Sequence, residues 1–120
     1  MWTAKQKLGK KGEEIAAQYL EKKGYEIIGR NIRVGRGEID IIAKNKRGIV
    51  FVEVKTRKFN KEFSIFDSVG YAKKEKIIET CENWLYENNL EREEWRIDFV
   101  GITFKVDGIF EIEHLEGGIN

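Results

Sequence analysis

Two short apolar runs with charges set into them restrict this chain more than any other feature. Residues 37 to 43, Gly-Glu-Ile-Asp-Ile-Ile-Ala, and residues 49 to 55, Ile-Val-Phe-Val-Glu-Val-Lys, are rich in β-branched side chains, and Asn45 to Gly48 between them has turn chemistry. The pattern predicts an antiparallel hairpin. Side chains alternate faces along a strand, so Val50, Val52 and Val54 point one way and Ile49, Phe51, Glu53 and Lys55 the other. Both faces begin apolar, as in a central strand buried on both sides. A carboxylate and an ammonium then follow on one face, about 6.6 Å apart along the strand.

Burying unpaired charge is expensive, so something must compensate these groups. A plain Glu53–Lys55 ion pair is one answer. The other is a hydrated divalent cation bridged to a phosphate, because a hard cation takes oxygen from one or two carboxylates and keeps waters for the rest of its shell. With Asp40 on the neighbouring run, the second answer describes a metal-dependent centre for phosphodiester cleavage, with Lys55 beside the attacking water.

The rest of the chain supplies a frame for that hairpin. Residues 3 to 23 read as a helix, with Thr3 and Gln6 as a capping box, an apolar stripe of Leu8, Ile15, Ala16, Tyr19 and Leu20, and Gly24 as its end. Gly9 and Gly12 interrupt the stripe, so the helix either starts later or lies close to something. Glu13 borders the stripe; on its own it reads as a first-turn carboxylate favourable to the helix dipole. Tyr25 to Arg33 is an expected strand, and Val34 to Gly37 turns it into the hairpin. Arg30, Arg33 and Arg36 lie there, either as bidentate phosphate contacts or as solvated surface charge. Glu38 shares the predicted face of Asp40 and is either a support for it or an edge residue.

After Lys55, residues 56 to 66 read as a loop carrying Phe59, Phe63 and Phe66, which either stack on unpaired bases, form a dimer contact or fold back on the domain. A second helix is expected from about Ser68 to Asn88, burying Ile77, Ile78, Cys81, Trp84 and Leu85. Lys73 near its start either reaches a phosphate or covers apolar surface with its stem. Residues 96 to 106 form a further strand, Asp107-Gly108 a turn requiring positive φ, and Ile109 to Leu115 a returning strand. The passage from Val50 to Val106 is then a right-handed crossover with parallel pairing. Arg96 and Asp98 are an expected ion pair. His114, the sole histidine, offers no triad, and Glu116 to Asn120 are expected to fray.

The length of 120 residues fits one domain, 1–120, without room for a second core. No run approaches the roughly 18 apolar residues of a membrane helix and no signal-peptide core is present, so a cytoplasmic location is expected. One cysteine excludes an internal disulfide and a thiolate zinc site. The net charge of +1 hides a polarity: residues 1–60 carry 15 Lys and Arg against 7 Asp and Glu, whereas residues 61–120 carry 7 against 14. The basic half holds the hairpin, and such a face suits phosphate, where each contact releases condensed counterions. Lysines 5, 7, 10 and 11 equally fit a solvated helix face.

Asp40, twelve intervening residues and Glu53-Val54-Lys55 resemble the PD-(D/E)XK nuclease signature, and Gly-Glu-Ile-Asp with Val-Glu-Val-Lys is similar to its variant in archaeal Holliday-junction resolvases. Gly12-Glu13, Asn31-x-Arg33, Gly37-Glu-Ile-Asp40, Phe51-Val-Glu-Val-Lys-x-Arg57, Val69-x-x-x-Lys73 and Arg96-Ile-Asp-Phe-Val100 together resemble the bacterial YraN family, over about residues 8 to 104. Ile39 stands where the signature's name has proline, as in many resolvase-like members. The resemblance implies an α/β (α+β) fold with a restriction-endonuclease-like core: a central mixed β-sheet flanked by helices, in the order αβββαβ plus a C-terminal strand. It implies catalytic Glu13, Asp40, Glu53 and Lys55; a Mg²⁺ or Mn²⁺ ion held by Asp40, Glu53, the Val54 carbonyl and Glu13; and DNA-backbone contacts from Arg57 and Lys73, beside those of Arg30, Arg33 and Arg36.

Two functions of different class follow. One is a metal-dependent endonuclease on structured or branched DNA, acting as a homodimer because a four-way junction offers two symmetric cuts. The other is a non-catalytic nucleic-acid-binding or protein-partner-binding domain that retains the nuclease fold, since a fold does not fix an activity.

Overall fold

In the computed structural model, which describes residues 1–61, 64–68 and 70–118, the capping box at the chain start is complete. The Thr3 hydroxyl accepts from the Gln6 N–H at 3.1 Å and the Gln6 side-chain oxygen accepts from the Thr3 N–H at 2.8 Å, which starts helix α1 (Ala4–Lys22). Both interior glycines therefore lie within the helix. Gly12 is there because α1 crosses the sheet in close contact: a β-carbon on it would overlap Thr56 Oγ1. Glu13, ten residues into α1, is thus too far along for the first-turn reading.

Strands β1 (Glu26–Val34), β2 (Gly37–Asn45) and β3 (Gly48–Lys58) form an antiparallel meander. A 3-10 turn (Ile65–Ser68) and helix α2 (Tyr71–Glu87) lead to β4 (Trp95–Phe104), which pairs parallel with β3 from Ile49↔Trp95 to Lys58↔Phe104. Strand β5 (Phe110–Leu115) closes the edge antiparallel to β4, giving the sheet order β1-β2-β3-β4-β5. Asp107 and Gly108 in the connecting turn have φ of 68° and 75°, as expected.

Residues 56 to 58, expected as loop, continue β3 because β4 runs beside them and takes up their backbone hydrogen bonds. Phe66 folds back, its ring edge-on to Phe99 with centroids 4.9 Å apart, while Phe59 stays exposed under the Lys105 ammonium. Phe63 and Val69 lie outside the described residues.

The sheet is buried on both faces. On one, Ala16, Ala17 and Leu20 of α1 pack with Ile41, Ala43, Val50, Val52, Val100 and Ile102. On the other, Cys81 and Leu85 of α2 pack with Ile42, Ile49, Phe51, Ile97 and Phe99, with Ile77, Ile78 and Trp84 beside them. Burial pushes the Cys81 thiol up, consistent with a packing role. The central mixed sheet with α1 on one face and α2 on the other, in the order αβββαβ plus a C-terminal strand, is the arrangement anticipated from sequence.

Candidate active site

The site begins where β2 breaks its own alternation. Ile39 packs in the α2-side cluster and Ile41, two residues on, in the α1-side cluster, so the strand turns over at Asp40. The partner strand is irregular at the same level: Asn31, between the pairs Arg30↔Ile41 and Ile32↔Ile39, has φ of +51°. The β2–β3 ladder stops there too, running from Asn45↔Gly48 to Ile41↔Val52 and no further. Continued register would have set Ile39 opposite Val54. Instead the Asp40 Oδ2 accepts the Val54 N–H at 2.8 Å, so the aspartate takes the place of a lost strand partner.

This seats the Asp40 carboxyl against that of Glu53, within hydrogen-bonding reach. The Glu53 side chain is only 16% exposed. Burial raises the Asp40 pKa to about 6, with the Glu13 and Glu38 carboxylates adding to the effect and the Val54 N–H opposing it. Burial, followed by the Asp40 charge, raises Glu53 to about 8, against the pull of the Lys73 ammonium, 3.9 Å from Glu53 Oε1. Two part-buried carboxyls within hydrogen-bonding reach, both disfavouring charge, form an oxygen donor set that fits a hard divalent cation. Among the described residues, no three His, Cys, Asp or Glu side chains converge on one point. The groups brought together are the Asp40 and Glu53 carboxyls, with the Val54 backbone beside them and Glu13 as a neighbour.

Glu13 approaches from α1 as a neighbour of that pair. With the Asn31 side-chain amide turned so that its NH2 faces the carboxylates, it donates to Glu13 Oε1 at 2.9 Å and to Glu38 Oε1 at 3.1 Å. Asn31 thus tolerates the unusual backbone and ties two acids with one group. Its motif was visible in sequence but this bridge was not, because the two acids it joins come from different elements. Glu38 lies close enough to raise Asp40, although the turned strand removes the simple alternation that would have put both on one face.

Lys55 follows on β3, half-buried beside Gly101, with no hydrogen-bond or ion-pair partner among the described residues. Lys73 stands in the first turn of α2. Arg36 in the β1–β2 turn joins Glu38, Glu53, Lys73 and Lys76 around a groove of about 200 Å³. Lys76 is an addition the sequence did not single out; its signal was only the i, i+3 spacing from Lys73. Gly37 lets Thr80 of α2 close onto the hairpin beside this groove, since a β-carbon on Gly37 would overlap the Thr80 hydroxyl. Arg57 donates from Nε to Thr103 Oγ1 at 3.3 Å. Arg33 is exposed opposite Glu38, and Arg30 is turned to the α1 face in a 2.8 Å pair with Glu14.

A separate polar cluster lies at the β4–β5 edge on the α1 face. Asp98, 0% exposed, accepts from Arg96 Nε at 2.9 Å and from the Gly117 N–H at 2.8 Å, and its Oδ2 lies 2.7 Å from His114 Nε2. Burial alone would raise Asp98, but hydrogen bonds from His114, Arg96 and Gly117 outweigh it and hold the group below the usual range. His114 Nδ1 is 3.0 Å from the Tyr19 hydroxyl, linking β5 to α1. The expected Arg96–Asp98 pair is present, and the chain at Gly117 is tied down, where fraying was expected.

A family model described as uncharacterised protein family UPF0102 matches residues 12–102. The chain is 40% identical over 113 residues to a UPF0102 protein of Syntrophotalea carbinolica, covering 94% of this chain and 91% of that one. Among solved structures it is similar to a repair endonuclease from Pyrococcus abyssi, with a TM-score of 0.49 and 20% identity, over 79% of this chain but only 38% of the other. It is also similar to the protein of an EndoMS–dsDNA2 complex, with a TM-score of 0.43 and 17% identity, over 81% and 38% of the two chains.

Proposed function

The chain belongs to the uncharacterised protein family UPF0102, and from that premise we propose that it is a Mg²⁺- or Mn²⁺-dependent endonuclease acting on structured or branched DNA. The observation that carries the reading is the part-buried juxtaposition of the Asp40 and Glu53 carboxyls where β2 parts from β3. Uncompensated, it opposes the ionisation both groups would have in water. A divalent ion bound there supplies a water of lowered pKa and positive charge for the crowded phosphate. Asp40 and Glu53 hold it, and the Val54 N–H fixes the orientation of Asp40.

Lys55 follows Glu53 on the same strand face. In this reading it orients the attacking water and offsets charge developing on the phosphate. Glu13, fixed by Asn31, acts through a water molecule or a second ion. Arg36, Arg57 and Lys73 hold the DNA backbone, with Arg30 and Arg33 as outlying contacts. Such contacts position a strand without reading its bases, so selectivity comes from DNA shape. A four-way junction asks for two symmetric cuts, and the reading therefore includes a homodimer in the cytoplasm, each 120-residue chain serving as one domain.

The test incubates the protein with labelled four-way, flap, single-stranded and duplex DNA plus Mn²⁺. Asp40→Asn is expected to abolish cutting and keep DNA binding; wild-type-like cutting by that variant overturns the assignment. Calorimetric titration of Mn²⁺ separates the alternative: no binding heat, with or without DNA, favours a non-catalytic domain.

A further inference from the structure

Trp2 is 54% exposed and belongs to neither hydrophobic cluster, an unusual position for the largest apolar side chain. The Lys10 ammonium lies over its ring, 5.6 Å from the centroid, and restrains the indole. The two side chains wall a groove of about 390 Å³ that also includes Gly9, Glu13, Asn31 and Glu38. A β-carbon on Gly9 would meet nothing within 4 Å, so the groove has free space beside the helix. Its volume lies within the range of small-ligand sites, about 300–1,000 Å³.

The groove is not isolated. Glu38 borders both it and the groove holding Glu53, Lys73 and Arg36, and Asn31 ties Glu13 to Glu38 between them. A path thus crosses the end of the sheet from an aromatic wall with one cation, past the acidic centre, to a cationic wall. Every nucleobase has a π face, and a phosphate on each side needs a cation. An aromatic ring can take a base only when that base has left its pair.

We infer that Trp2 and Lys10 form a subsite for an unpaired nucleobase and its phosphate, immediately beside the scissile position, so that the preferred DNA carries a single-stranded or frayed stretch next to the cut. This rests on the nuclease reading for the words "beside the cut" but not for the binding itself. Trp2 stacks the base, and Lys10 pairs with the adjoining phosphate. The phenylalanines of the 59–66 segment do not compete for the role at Phe66, whose ring is committed to Phe99.

The experiment places 2-aminopurine in a single-stranded oligonucleotide and in the matched duplex, and follows fluorescence quenching and anisotropy with Ca²⁺ and with EDTA. Wild-type protein is expected to quench the single strand and leave the duplex unquenched. Trp2→Ala should lose the quench and bind the single strand about tenfold more weakly, with duplex affinity and melting temperature unchanged; Trp2→Phe should keep most of both. Trp2→Ala binding and quenching like wild type overturns the subsite, as does an equal loss on single strand and duplex. Cutting by Asp40→Asn is scored separately: it would remove the nuclease reading while leaving the quench result to stand or fall by itself.

Discussion

At the scale of single residues, the Asp40–Glu53 pair costs stability whenever neither protons nor a nearby positive charge offset it. A carboxyl whose pKa is raised on folding contributes stability that is complete below its unfolded value and is lost as pH rises through the folded one. For Glu53 that window runs from 4.5 to about 8. Glu53→Gln is therefore expected to stabilise the metal-free protein at pH 8 by roughly 1–3 kcal/mol, seen as a higher melting temperature, and to change little at pH 4. Equal effects at both pH values in thermal scans with EDTA would contradict the coupling of the pair. The identities of these residues were readable from Asp40, Glu53 and Lys55 in two β-branched runs. Their contact was not, because strand alternation predicts faces, whereas Asp40 lies at the point where alternation fails.

At the scale of elements, α1 approaches β3 through Gly12, whose missing side chain makes room for Thr56. Helix propensity alone favours Ala over Gly by about 1 kcal/mol. The contact reverses the sign: Gly12→Ala is expected to destabilise by about 1–3 kcal/mol through overpacking, and adding Thr56→Ala should recover most of it. Denaturant melts of the two single variants and the double variant measure the coupling, and a stabilised Gly12→Ala protein would show that α1 does not pack this closely. The sequence marked the glycine as costly in a helix but could not say what it faced. The same limit hid the role of His114: its partners Tyr19 and Asp98 lie 95 and 16 residues away, and only the pairing of β5 with β4 brings them together.

At the scale of the whole molecule, two carboxylate sites load opposite ends of the pH range. Asp98, held below the usual range, contributes stability above the ordinary Asp value of 3.8 that is lost as pH falls. The Asp40–Glu53 pair costs stability as pH rises. Metal-free protein is therefore expected to be most stable at mildly acidic pH. Mn²⁺ should restore the alkaline side, by about 2.7 kcal/mol at a hundred times its Kd, with protons released on binding. Calorimetry at pH 6 and pH 8 in two buffers of different ionisation enthalpy checks this; absence of proton release would mean that the ion binds elsewhere.

The sequence by itself determined the elements and their order, because apolar periodicity, capping chemistry and the Asp107-Gly108 turn are local properties of adjacent residues. It also determined which charges sit in buried strands, since a carboxylate within a β-branched run has few inexpensive places to go. Tertiary structure decided how those charges meet. The end of the β2–β3 ladder at Ile41, the turning over of the strand at Asp40 and the bridge from Asn31 all depend on where β1, β3 and α1 pack around that point. Such positions are set by the mutual exclusion of side chains far apart in the chain, which no local pattern records.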